Sequence, residues 1–165
     1  MTVNYAELTG SDNYFEDFGV GDVYKHMRGK TIFPSENTAL TNMVMNTAAG
    51  HFNSHQMESM AFGGGKIVSF GGVNFSLVLG LSSQDCVENA LEELGLDNIR
   101  LTKSVGHGDT LYAYTEVLSK SDSDREDAGI VVFRHYGVNQ RDELVAQLDR
   151  RALIKRRSHW VPSTR

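Results

Sequence analysis

Cysteine is almost missing. Cys86 stands alone, so the chain can close no internal disulfide and build no multi-thiolate metal site. That fits a reducing compartment. Basic charge is also scarce: 16 Lys and Arg against 21 Asp and Glu leave a formal net charge of −5. A nucleic-acid-binding module would show the opposite excess. Long apolar runs are absent too. The longest, around positions 73–81, is interrupted by Asn74 and Ser76 and falls well short of the roughly 20 residues that span a bilayer. The first thirteen residues lack the basic-then-apolar order of a signal peptide. The expectation is a soluble, cytoplasmic protein with no nucleic-acid or membrane partner. Only 2 prolines occur, whereas glycine reaches 16, three of them consecutive at Gly63, Gly64 and Gly65. With 165 residues, 40% hydrophobic and 22% charged, the chain suits one domain with a real core.

The pattern along the chain divides it into a flexible lead-in (1–13), a folded domain (14–157) and a short tail (158–165). Val23 to Phe33 reads as a strand that Pro34 stops, because proline cannot donate to a sheet ladder. Ser35-Glu36-Asn37-Thr38 offers helix-capping residue types, and Leu40, Met43 and Val44 follow at helical spacing, which predicts a helix from about Ser35 to Met45. No period holds from Asn46 to Gly65, so a loop with a flexible glycine hinge is expected there. Ile67 to Gly80 is apolar on nearly every face and predicts a buried helix despite Gly71, Gly72 and Gly80. A second helix is expected from Ser82, with Val87, Ala90, Leu91 and Leu94 on one face and Gly95 at its end. Period two then takes over. Ile99 and Leu101, Leu111 to Leu118, Gly129 to Val138 and Leu144 to Arg156 read as strands, with a loop at 119–127 and a turn at 139–143; the last segment also has helical spacing. The order argues α+β: an antiparallel sheet wrapped around one glycine-rich helix.

Four stretches of this sequence resemble the MaoC-like dehydratases and hydratases of the hot-dog fold. They are Tyr14-Phe15-Glu16-Asp17-Phe18-Gly19-Val20-Gly21-Asp22, Asn46-Thr47-Ala48-Ala49-Gly50-His51-Phe52-Asn53, Gly106-His107-Gly108-Asp109-Thr110-Leu111, and Ala128 to Arg134 followed by Asn139-Gln140. The Phe-Glu-Asp-Phe entry and the Met-Asn-Thr loop start are similar to the mesaconyl-CoA hydratase-like branch, whose members are often about twice this length. The resemblance implies a single hot-dog domain that dimerises, with a thioester tunnel between subunits, and a lyase acting on acyl-CoA or acyl-carrier-protein thioesters. It implies no metal or redox cofactor; coenzyme A or phosphopantetheine belongs to the substrate.

The family's loop pattern is Asp-x-Asn-Pro-x-His. Here His51 matches the histidine, while Asn46, Ala48 and Ala49 stand at the aspartate, asparagine and proline positions. An amide cannot act as a base, so the resemblance implies His51 as acid/base and Asn46 as the group that orients water. It also implies an oxyanion site of backbone N–H groups at Ser69, Phe70 and Gly71, with Asn53 near the substrate. From the bare residues alone, His51 reads rather as a loop histidine bonded to backbone. His51-x-x-x-His55 with Glu58 lacks the adjacent glutamate of zinc peptidases and predicts no metal site. The run Arg150, Arg151, Lys155, Arg156, Arg157 is either a solvated sheet edge or an attractor for coenzyme A phosphates. Beside the hydratase stand a tailoring dehydratase on carrier-bound intermediates, a protein that binds acyl thioesters without turnover and, more weakly, a thioesterase.

Overall fold

The computed structural model describes Val3–Tyr5 and residues 13–161. In chain order the elements are β1 (Val3–Tyr5), β2 (Val23–Thr31), α1 (Pro34–Met43), α2 (Ser54–Glu58), α3 (Gly71–Cys86), β3 (Ala90–Leu101), β4 (Thr110–Asp122), β5 (Ala128–Asn139), β6 (Leu144–Lys155) and α4 (Arg157–Trp160). They form one six-stranded sheet in the order β1-β2-β4-β5-β6-β3. Five strands are antiparallel; β1 adds to the edge in parallel, Val3 opposite Val23. Thus three residues of the expected lead-in form a strand, and the rest of it before Asn13 lies outside the described residues. The expected tail contributes α4, and positions 162–165 lie outside as well.

The sheet wraps α3, which packs against strands β2 to β6. This is the hot-dog arrangement expected from the resemblance. Alternate residues of β4 and β5 point inward, so Leu111, Ala113, Val117, Val131 and Phe133 are buried while their neighbours are half-exposed. Two apolar clusters fill the interior: Val78, Leu81 and Leu148 lie in one, Phe15, Phe18, Cys86 and Phe133 in the other. Each fully buried Leu, Val or Phe contributes about 1.5–3 kcal/mol relative to exposure.

Two helix predictions need correction. The central helix starts at Gly71, four residues later than expected, because Val68 bridges Gly106 and the Ser69 N–H donates to the Val105 carbonyl, holding that stretch extended. It then runs on to Cys86. Ser82 and Ser83 turn their hydroxyls back onto the Leu79 carbonyl (3.0 and 2.6 Å), so polar residues continue the helix instead of capping a new one. The second helix does not exist. Ala90–Leu101 is a strand pairing with β6, interrupted by register shifts at Ala90/Glu92, Glu93/Gly95 and Asp97/Arg100. The glycine run takes a path that other residues rarely adopt. Gly63, Gly64 and Gly65 have φ of +70°, +62° and +76° in a short 3₁₀ turn, a left-handed path that glycine adopts without strain.

The C-terminal end of α3 carries a buried polar chain. His26 Nδ1 donates to Asp85 Oδ2 (2.6 Å), and the Thr115 hydroxyl lies 2.6 Å from His26 Nε2 and 2.7 Å from His135 Nδ1. Cys86 joins it, with burial pushing its thiol up to about 12, so it is no nucleophile. The ligating atoms of His26, Cys86 and His135 lie within 4.8 Å of one another, but the Thr115 hydroxyl bridges the two histidines. Burial foremost, then the charges of Arg150 and His26, holds the pKa of His135 well below its ordinary 6.5, against an opposing pull from Asp149. The unfolded chain therefore takes up a proton on His135 below about pH 6.5 that the folded one does not. Stability contributed by this residue is complete above that pH and falls as the pH drops, by at most about 1.4 kcal/mol per unit. Urea midpoints from pH 7.5 down to 5.5 should fall for the native sequence and fall less steeply for His135→Gln.

Candidate active site

Around the buried amide of Asn37 three segments meet. Its Nδ2 donates to the His51 backbone carbonyl (2.9 Å) and to Nε2 of His107 (3.0 Å), while its Oδ1 accepts from the Phe70 N–H (2.9 Å). One side chain of α1 thereby ties the 3₁₀ turn Ala49–His51 to the loop before β4 and to the residue that precedes α3. Burial lowers the pKa of His107, keeping its ring neutral and able to accept. Asp109 fixes the same loop, taking the Gly106 N–H (2.9 Å) and Gln140 Nε2 (2.6 Å). Asn37 and His107 are site residues that sequence reasoning missed. Asn37 was legible only as a capping residue type, because the buried face of α1 carries the polar pair Asn37 and Thr41 and no apolar period marks it. Asn37→Ala strands several half-buried or buried partners at once, at about 1–3 kcal/mol for each group left unsatisfied. A loss of about 2–4 kcal/mol in urea unfolding is expected.

His51 is held from one side only. The Val68 N–H donates to the Gly50 carbonyl (3.1 Å), and the Val68 carbonyl accepts from His51 Nδ1 (2.9 Å). In the neutral ring that bond leaves the lone pair on Nε2, which has no hydrogen-bond partner among the described residues. The imidazole lies against Phe70, with 5.4 Å between ring centroids. The Nδ1 bond matches the bare-sequence reading of a backbone-bonded loop histidine, and Nε2 is the nitrogen left open.

Phe70 is the N-cap of α3, and its carbonyl accepts from the N–H groups of Val73 (2.9 Å) and Asn74 (3.1 Å). Gly71 and Gly72, in the first turn, have no intrahelical acceptor. Their N–H groups and the helix dipole make a ready site for a developing oxyanion. Ser69 gives its N–H to Val105 and Phe70 gives its own to Asn37, so of the first-turn groups near the expected Ser69 to Gly71 the N–H groups of Gly71 and Gly72 are the ones left without an intrahelical acceptor. A Cβ on Gly71 would meet the tip of the Leu101 side chain, which would have to turn aside to admit it.

A cavity of about 500 Å³ opens at this helix end, lined by Asn46, Phe70, Gly72 and Val73 among others. Asn46 Oδ1 accepts from the Ala48 N–H (2.9 Å), which fixes the amide and leaves Nδ2 as the donor end. Ser69 is buried and structural: its hydroxyl donates to Asn74 Oδ1 (2.7 Å). Asn53 lies apart from these residues. It is exposed and caps α2, accepting from the Gln56 N–H (3.0 Å), and does not line the cavity. His55 is exposed beside Glu58 at 3.8 Å, and His51 Nδ1 is already taken, so the three do not converge.

The basic run is not at a sheet edge, and three of its five charges have acidic partners, while Arg151 is exposed with no ion pair among the described residues. Strand β6 lies between β5 and β3. Arg150 pairs with Glu93, Arg156 with Asp122 and Arg157 with Asp17, while Lys155 lies over the Trp160 ring.

Comparison with known proteins places this geometry among relatives. A family model described as mesaconyl-CoA hydratase matches residues 4–156. A mesaconyl-CoA hydratase of Haloarcula marismortui is 32% identical over 160 residues, covering 90% of this chain and 44% of its own. A beta-methylmalyl-CoA dehydratase of Chloroflexus aurantiacus is 35% identical over 118 residues, 71% of this chain and 33% of its own. The structure of a MaoC domain protein dehydratase from Chloroflexus aurantiacus superposes with a TM-score of 0.81 at 25% identity, covering 96% of this chain and 45% of that one. The chain thus spans less than half the length of these relatives.

Proposed function

The chain belongs to the mesaconyl-CoA hydratase family, and on that footing we propose that it adds water to, or removes it from, the α,β double bond of an enoyl thioester. The observation that carries the reading is the state of His51: Nδ1 is committed to the Val68 carbonyl, and Nε2 is unpaired among the described residues beside the open first turn of α3.

In the hydration direction the thioester oxygen accepts from the Gly71 and Gly72 N–H groups, which polarise the double bond and stabilise the enolate as it forms. Water held by the Asn46 amide attacks the β-carbon while His51 Nε2 takes its proton. The α-carbon of the enolate then receives a proton from the imidazolium, which restores neutral His51. The reaction is redox-neutral overall and asks for no electron carrier. Neither Ala48 nor Ala49 can replace the family's asparagine and proline chemically; the loop shape is instead supported by the Asn37 bonds.

A second copy of the chain is part of this reading. The outer edge of β3 carries Leu96, Ile99 and Leu101 exposed, beside the Gly71 that Leu101 covers. Among the described residues no helix is long and apolar enough to cross a membrane. Mass spectrometry of enoyl-CoA incubated with the purified chain tests the activity. Gain of one water supports it; release of free coenzyme A points to a thioesterase, and bound but unaltered substrate to a thioester-binding protein.

A further inference from the structure

We propose that the acyl group taken by this chain is apolar at its far end, an enoyl thioester without a second carboxylate. The proposal rests on the hydratase reading of the site and refines its substrate class.

The cavity that begins at Asn46 and Gly72 runs along the first turns of α3 and is flanked on the other side by Leu40 and Val44. Its walls are Phe70, Val73, Phe75 and Leu77; the polar side chains reaching it are Asn46 and Ser76, both uncharged. Asn46 is already occupied in positioning water. The Gly71 and Gly72 N–H groups are taken by the thioester oxygen, and His51 must be neutral to act as base.

Charge is missing from these elements in the sequence itself. Between Lys30 and Arg100 the chain contains a single Lys or Arg, Lys66. That residue lines a separate cavity with His107 and Glu58. Lys30 is bound to Glu36 at 2.7 Å. Arg100 neighbours the Leu101 that covers Gly71, and strand alternation turns the two to opposite faces of β3. Among the described residues of one copy, no Lys or Arg lines the acyl cavity.

The mono-thioester of a dicarboxylic acid such as mesaconate brings a free carboxylate to the end of the acyl group. Moving that charge out of water without a counter-ion is strongly unfavourable, whereas a methyl or longer alkyl group gains from the same walls. The site's chemistry thus favours a substrate that differs from those for which its relatives are named.

An isosteric pair tests this. (E)-2-Methylcrotonyl-CoA carries a methyl where 2-methylfumaryl-CoA, esterified at the carboxyl beside its methyl group, carries a carboxylate. With the full chain, kcat/KM should favour the methyl compound by about tenfold or more. Equal or better turnover of the dicarboxylate overturns the proposal. If neither is hydrated, the hydratase reading fails on its own account, and calorimetric binding of the same pair decides the pocket: tighter binding of the methyl compound supports it, tighter or equal binding of the dicarboxylate overturns it. Val44→Arg places a guanidinium on the cavity rim, where Val44 is 59% exposed. It should move the ratio towards the dicarboxylate by about tenfold; an unmoved ratio contradicts the assignment of this cavity.

Discussion

His51→Ala should lower kcat/KM for enoyl thioester hydration by about 10²–10⁴-fold, the usual contribution of a positioned general acid or base. The loss should be chemical and not structural. The His51 side chain sits on a half-exposed turn and makes one hydrogen bond, to the Val68 carbonyl, while the bond that ties this turn to Asn37 uses the His51 backbone and survives the substitution. Unfolding free energy should change by about 1 kcal/mol or less. Steady-state kinetics and urea unfolding on one preparation measure both. A variant retaining full turnover, or one that loses turnover only because it unfolds, removes His51 from the mechanism. Asn46→Ala should cost less, since it removes a group that positions water and leaves the base in place.

Asp85→Ala carries the largest expected effect on stability. Asp85 and His26 are buried at the end of α3 remote from the site, joined at 2.6 Å, and the chain continues through Thr115 to His135. The second carboxylate oxygen of Asp85 has no partner among the described residues, so the one bond to His26 offsets the desolvation of both groups. Removing one partner of such a pair costs about 3–5 kcal/mol. That is a large share of the roughly 5–15 kcal/mol that holds a domain of ordinary stability. Asp85→Asn keeps the volume and an acceptor and should recover part of the loss. Equilibrium urea unfolding of both variants reads this directly; a change below about 0.5 kcal/mol for Asp85→Ala would show the network to be energetically idle. Because this cluster stands at the opposite end of α3 from Gly71, the variants that remain folded should keep KM near that of the native sequence.

How much of this was legible from residues alone depended on whether a segment's partners were local. Strands β4 and β5 alternate cleanly between the core and the outer face, and their limits were found to within a few residues. The buried helix was recognised from its all-round apolar character, but its ends were not. Its start is set by the bonds of Val68 and Ser69 to Gly106 and Val105, and its end by serines folded back on Leu79, none of which periodicity contains. The first half of β3 was read as helix because Ala90, Leu91 and Leu94 continue a helical spacing from Val87 where register shifts break the alternation, while Ile99 and Leu101 in its second half were read as strand. In the site, His51, Asn46 and the glycines of α3 came from motif resemblance. Asn37 and His107 did not, because their meaning lies in contacts across 14, 33 and 70 positions of the chain. The basic run stayed open between two readings for a related reason: the acidic partners of Arg150, Arg156 and Arg157, namely Glu93, Asp122 and Asp17, are brought to it by the sheet and by α4.

The most direct test of the central claim is a proton NMR time course of a 2-enoyl-CoA with the purified chain in deuterium oxide. Proton delivery by His51 predicts a β-hydroxyacyl-CoA carrying one deuterium at the α-carbon, formed by the native sequence and suppressed in His51→Ala. Release of free coenzyme A with the double bond intact, or the same product at the same rate from His51→Ala, would contradict it.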